Sequence, residues 1–285
     1  MRLDDLRPSD NMDDRRGQGG GFGPRLAFGG GGLGLVAVLA ISLVFGIDPR
    51  MLLEGGEPVP MQQQTQRDGQ GGPRADDAAY TFTQRVIGSA EDIWAPLMQE
   101  RGLRFQPARA TVYDQVTPTG CGTGQAAAGP FYCPGDSGIY LDLTFFNELG
   151  QLFGAPGEFA RAYVIAHEYG HHIQNLTGVM DRHNSRESGA DSDSVRTELQ
   201  ADCYAGIWAV RADRRFNMLE SGDIESGMQA ASAVGDDTLQ KGVGRGYVVP
   251  DSFTHGSSAQ RVRWFKRGLE SGDMAACDTF SAGSL

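Results

Sequence analysis

Two histidines four residues apart with a glutamate between them, His167-Glu168-Tyr169-Gly170-His171, are the part of the chain best equipped for chemistry. The run lies in a stretch whose apolar spacing predicts one helix over Glu158–Thr177. On a helix, residues four apart share a face one turn above each other, so both imidazoles can bind a single Zn²⁺. Glu168, one step round, then faces the open side of the ion. A second predicted helix, Val195–Ala212, carries Glu198-Leu199-Gln200-Ala201-Asp202. Glu198 and Asp202 are again four apart, which suits Glu198 to be a third ligand and Asp202 to accept a hydrogen bond from the far nitrogen of a ligating histidine. Two imidazoles, one carboxylate and an open fourth position describe a catalytic zinc rather than a structural one. Such a centre has the layout of a zinc hydrolase. Glu168 takes a proton from a water acidified by the ion, the hydroxide attacks the carbonyl, and Glu168 returns the proton to the leaving amine.

The neighbouring residues refine this reading. A glycine inside a helix costs about 1 kcal/mol relative to alanine, so Gly170 points to a close approach of another backbone or of the groups around the ion. His172 is turned about 100° from His171 and points away from the ligand face, as a packed imidazole would. His183 lies in a polar loop and is assigned no role. The four cysteines allow three complete pairings. Cys121 and Cys133 flank a Gly/Ala-rich turn and form the natural local pair, which leaves Cys203 with Cys277. Cys203 as a metal ligand is the rival reading, but five residues beyond Glu198 it is turned about 140° from that face.

Several blocks carry a family resemblance: Gly129–Pro134, Tyr140–Asp142 with Phe145-Phe146, His167–Gln174, Glu198–Gly206, and His255–Arg261 followed by Trp264-Phe265. Together they resemble the gluzincins, the thermolysin-like branch of zinc peptidases, and more closely the bacterial putative neutral zinc metallopeptidases. The resemblance runs from about Ala79 to the C-terminus and implies a zinc-dependent peptidase acting on peptide or protein substrates. It also implies a further group that stabilises the oxyanion, for which His255 is the candidate; a structural cap for the helix starting near Ser257 is the alternative for the same residue. Endopeptidase action is the expectation, since no acidic motif stands out to anchor a substrate amine. A zinc-stabilised scaffold or binding module that turns over nothing is the alternative to an active enzyme.

The elements that must position these residues occupy about two hundred residues, enough for one sizeable core. Val86–Gln99 reads as a helix, Ala110–Val116 and Gly138–Leu143 as strands, and further helices fall near Ile224–Val234 and Ser257–Leu269. Strands before the zinc helix and helices after it predict an α+β, zincin-like domain over residues 79–285, with a small sheet packed on the HExxH helix. Peptidases of this kind bind substrate as an added strand, and Thr123–Tyr132 is the candidate edge, with a disulfide-stapled surface loop as the other reading. The acidic loop Glu187–Asp193 reads as a solvated charge cluster, because its spacing does not follow a calcium loop.

The first 25 residues are polar and rich in Gly, Asp and Arg, and are expected to be a disordered cytoplasmic tail. Residues 26–47 lack charge and are long enough to span a bilayer, while lacking the cleavage pattern of a signal peptide. Residues 48–78, rich in Gly, Gln and Pro, read as a flexible tether. Arg15, Arg16 and Arg25 precede the span and only Arg50 follows closely, which predicts a single-pass inner-membrane protein with its catalytic domain on the extracytoplasmic side. The net charge of −11 argues against a nucleic-acid partner.

Overall fold

The computed structural model describes residues 1–17, 77–151, 157–185, 187–242 and 247–285. Its strands are β1 (Met12–Asp14), β2 (Arg109–Val112), β3 (Val116–Thr119), β4 (Gly122–Gln125), β5 (Phe131–Cys133) and β6 (Gly138–Leu141). The helices are α1 (Ala78–Glu100), α2 (Phe145–Gln151), α3 (Glu158–Leu176), α4 (Val179–Arg182), α5 (Asp193–Phe216), α6 (Asp223–Ala233), α7 (Asp236–Gly242) and α8 (Ser258–Ser271). Polar caps set several of the starts. Asp77 accepts from the Tyr80 amide at the head of α1, Ser192 from Val195 at α5, and Ser257 forms a reciprocal pair with Gln260 at α8.

Four strands form one sheet in the order β1-β2-β6-β5, parallel except for β5, which runs antiparallel to β6 at one edge. The β3–β4 hairpin is separate. Helix α3 runs through the middle of the domain, packed against α1, β5 and β6 as well as α5 and α6. Its Phe159, Tyr163, Ile165, Tyr169 and Ile173 are buried in the main core. Phe159 stacks on Trp208 of α5 at 6.2 Å between ring centres, and Trp94 of α1 meets Tyr204 of α5 edge-on at 5.4 Å. The α+β expectation and the helices carrying the HExxH and ExxxD motifs are therefore observed.

The strands are shorter than their apolar runs. β6 ends at Leu141 because Asp142 turns the chain, its Oδ1 accepting from the amide and hydroxyl of Thr144 at 2.9 and 2.7 Å. β2 stops at Val112, and Gln115 in the left-handed region (φ 61°) redirects Val116 into the hairpin. The proposed substrate edge Thr123–Tyr132 is divided in the same way: its start pairs within the hairpin, and its end, Phe131 and Tyr132, lies in β5, one of the two edges of the main sheet. Both disulfides join the expected partners, Cys121 with Cys133 and Cys203 with Cys277, which removes Cys203 from any metal site.

Residues 1–17 depart from expectation. They do not form a disordered tail: Leu3 and Leu6 are buried in the main core, and Met12–Asp14 pairs in parallel with Ala110–Val112. Their low hydrophobicity is compensated by bonds to the rest of the domain, such as Ser9 N to Gln84 O at 3.0 Å and Arg15 N to Val112 O at 2.8 Å. The apolar run 26–47 and nearly all of the tether 48–78 lie outside the described residues. Among the described residues, no helix is long and apolar enough to cross a membrane.

Candidate metal centre

Four side chains on one face of α3 converge with the facing turn of α5. Tyr163, His167, His171 and Gln174 follow each other at helical spacing, and Glu198 and Asp202 meet them from α5. The His167 and His171 Nε2 atoms lie 3.2 and 3.4 Å from the two carboxylate oxygens of Glu198. All three ligand atoms fall within 4.8 Å of one another. Ligands about 2.0–2.1 Å from a tetrahedral ion stand about 3.3–3.4 Å apart, so each imidazole stands from a Glu198 oxygen at the spacing that zinc requires.

The far nitrogens of the histidines complete the fit. His167 Nδ1 donates to Asp202 Oδ1 at 2.8 Å, and His171 Nδ1 to Gln174 Oε1 at 2.8 Å, which leaves each Nε2 as the ligand atom. Gln174 is fixed in turn by donating to the Thr197 carbonyl at 2.7 Å and to Gln200 Oε1 at 3.1 Å, and Gln200 donates to the Cys277 carbonyl at 2.9 Å. Through this chain the Cys203–Cys277 disulfide steadies the orientation of His171. Among the described residues, no other cluster of His, Cys, Asp and Glu side chains is placed to hold a metal, the acidic loop at 187–193 included.

The electrostatics favour an ionised third ligand. Burial raises the pKa of Glu198, but the charge of His171 and the hydrogen bonds from both histidines outweigh it and hold the carboxyl well below its usual range. Asp202 is likewise kept ionised despite burial, by Arg261 and then His167. Burial pulls the His167 pKa down, yet the charge and hydrogen bond of Asp202, with Glu198, bring it up to about 10. Glu168 is 7% exposed, and its pKa is raised by burial against the opposing charges of His167 and His171.

The family model described as putative neutral zinc metallopeptidase matches residues 1–280. The chain belongs to this family, whose metal is zinc. It is 44% identical over 98% of its length to an Escherichia coli protein named "Uncharacterized protein YpfJ", covering 99% of that protein. It is 42% identical over 73% of its length to "Uncharacterized protein Rv2575" of Mycobacterium tuberculosis, covering 74% of that protein. No solved structure matches the chain.

The structure also supplies residues around the centre that sequence reasoning missed. Arg261 of α8 is 3% exposed, and its Nη2 donates to Asp202 Oδ1 at 2.9 Å while Nη1 stands 4.0 Å from Glu198 Oε2. Tyr163 Oη donates to the same Asp202 oxygen at 2.5 Å. Tyr163 and Gln174 could have been found from their positions four before His167 and three after His171. Arg261 fell within a block quoted for the resemblance, yet nothing in its local spacing points to Asp202. Asp236 is a further omission: its Oδ2 accepts from the amides of Thr254, His255 and Gly256 at 2.8, 2.7 and 2.9 Å.

These bonds fix the loop that carries His255, with its Nδ1 2.9 Å from Thr254 Oγ1 and 3.4 Å from Asp236 Oδ1. The bond to Asp236 and the charge of Glu198 raise the pKa of His255. Ser257, rather than His255, caps α8. His172 instead serves packing: it is buried, with Nε2 donating to the Gln106 carbonyl at 2.7 Å and Nδ1 3.1 Å from Tyr132 Oη. His183 stacks on Phe280 at 3.7 Å, away from the ligands.

Gly170 is explained by contact between the two ligand helices. A Cβ there would stand 2.9 Å from the Ala201 carbonyl oxygen and 3.1 Å from its Cα. Gly170→Ala is expected to cost about 1–3 kcal/mol, because overpacking exceeds the gain in helix propensity. It also shifts the helix bearing both histidines relative to the one bearing Glu198. A thermal melt and a zinc competition titration on the same variant check both effects; unchanged values in both would contradict this packing argument.

Proposed function

We propose that the protein is a zinc-dependent endopeptidase, with His167, His171 and Glu198 holding the metal and Glu168 as the general base. The observation that carries this reading is the convergence of three ligand atoms within 4.8 Å of one another beside a buried carboxyl from the same helical turn. When bound, zinc supplies Lewis acidity, lowering the pKa of water and polarising the scissile carbonyl.

The chain supplies the rest. Glu168, with its pKa raised by burial, is suited to accept a proton and to pass it to the leaving amine. Asp202 and Gln174 keep the imidazole rings aimed. His255, with its raised pKa and its loop held by Asp236, offers a donor for the developing oxyanion. The edge strand β5, antiparallel to β6 and packed near α3, suits pairing with an extended substrate. The two disulfides support an extracytoplasmic location.

The test is cleavage of a mixed peptide library by the purified full chain, with products read by mass spectrometry. Internal cleavage that disappears on chelation and returns with stoichiometric zinc is the expected result. Zinc binding without any cleavage, or cleavage that survives removal of the metal, would overturn the proposal.

A further inference from the structure

Helix α1 is shaped to receive residues 1–17. A Cβ on Gly88 would stand 2.3 Å from the Arg7 carbonyl oxygen and 3.1 Å from the Ser9 nitrogen, so glycine is what lets the segment's backbone reach the helix. One turn on, Glu91 is 5% exposed. Its carboxylate accepts from Arg7 Nη2 at 2.7 Å, Ser9 Oγ at 2.6 Å and Asn11 Nδ2 at 2.9 Å, three donors from that segment. Burying a carboxylate without partners costs several kcal/mol, so this position suits a domain that contains the segment.

The fit extends beyond α1. Leu3 and Leu6 enter the main core, and Met12–Asp14 extends the sheet. The Met1 nitrogen lies 3.1–3.5 Å from carboxylate oxygens of Glu158, Glu220 and Asp223, and Glu158 is the first residue of the helix that carries both histidines. The family match likewise begins at residue 1.

Gly17 and Asp77, where the described chain stops and resumes, are brought together. The Arg16 guanidinium bonds the carboxylates of Asp14 and Asp77 and lies 5.1 Å from the centre of the Tyr80 ring. Asp77 is itself the cap of α1. Gly17 and Asp77 therefore lie at one place on the domain.

We propose that residues 1–17 and the metal centre occupy the same compartment. A single bilayer crossing by residues 26–47 would put the two on opposite sides and separate β1 from β2. On this reading residues 1–17 share the oxidising environment that the disulfides require. The arginines that suggest the opposite orientation have another use: Arg15 pairs with Asp13 at 2.9 Å, and Arg16 with Asp14 and Asp77.

The test uses the full chain in a Gram-negative host with one added cysteine, either Asp5→Cys or Ser271→Cys, both at exposed positions. All four native cysteines are in disulfides, so the added thiol is the reactive one. Spheroplasts are treated with a membrane-impermeant maleimide before and after lysis. The expected result is the same labelled fraction at both positions before lysis. Labelling of one position in intact spheroplasts, and of the other only after lysis, would overturn the proposal. Hydrogen exchange on the membrane-bound protein gives a second reading: residues 11–16 are expected to be protected, and exchange at the rate of an unstructured chain would also overturn it.

Discussion

Glu168→Gln is expected to leave the protein folded and zinc-bound while reducing peptide hydrolysis by about 10²–10⁴-fold, the usual contribution of a positioned proton-transfer group. Glutamine has nearly the same shape and fits the same buried position, but it cannot take a proton from water. The three ligand atoms are on other residues, so metal content should match the native protein. Zinc stoichiometry by mass spectrometry and turnover of one peptide found in the library cleavage check the two halves. The comparison also separates an enzyme from a zinc-stabilised scaffold. A scaffold would show the same trace activity in both proteins, whereas an enzyme loses its activity in the variant alone.

How much of this centre the chain displays depends on how locally it is encoded. The ligand set was legible because a helix converts a spacing of four into a shared face, once within His167–His171 and once within Glu198–Asp202. Disulfide pairing was legible because Cys121 and Cys133 lie only 12 residues apart. Arg261 was not, since its partner Asp202 is 59 residues away on another helix, and no period links them.

Residues 1–17 were misread for a related reason. Their charge resembles a solvated tail, but Arg7, Arg15 and Arg16 are used in pairs with carboxylates, and β1 joins β2 in parallel across a long stretch of sequence. Strand pairing of that range leaves no mark in local composition. The strand edges were misplaced where a single residue ends a run, as Asp142 does after β6.

Asp202→Ala is expected to have the largest effect on stability. Asp202 is fully buried and its Oδ1 accepts from His167, Tyr163 and Arg261. Its removal leaves the Arg261 guanidinium buried, with Glu198 at 4.0 Å as its remaining carboxylate. Breaking a buried pair from one side costs about 3–5 kcal/mol, or roughly 6–20 °C in melting temperature for a domain of this size. Zinc affinity should also fall, by about 10–100-fold, because His167 loses the acceptor that fixes its ring and the guanidinium is drawn toward the Glu198 ligand.

A paired change separates the two effects. In Asp202→Leu with Arg261→Met, no buried charge is left alone, so most of the lost stability should return. His167 still lacks its acceptor, and zinc affinity should stay low. Melting curves of the metal-free proteins and chelator competition on the same samples give the two numbers independently. Recovery of both in the double variant would mean that Asp202 serves only to neutralise Arg261, and that the aim of His167 is set by other contacts.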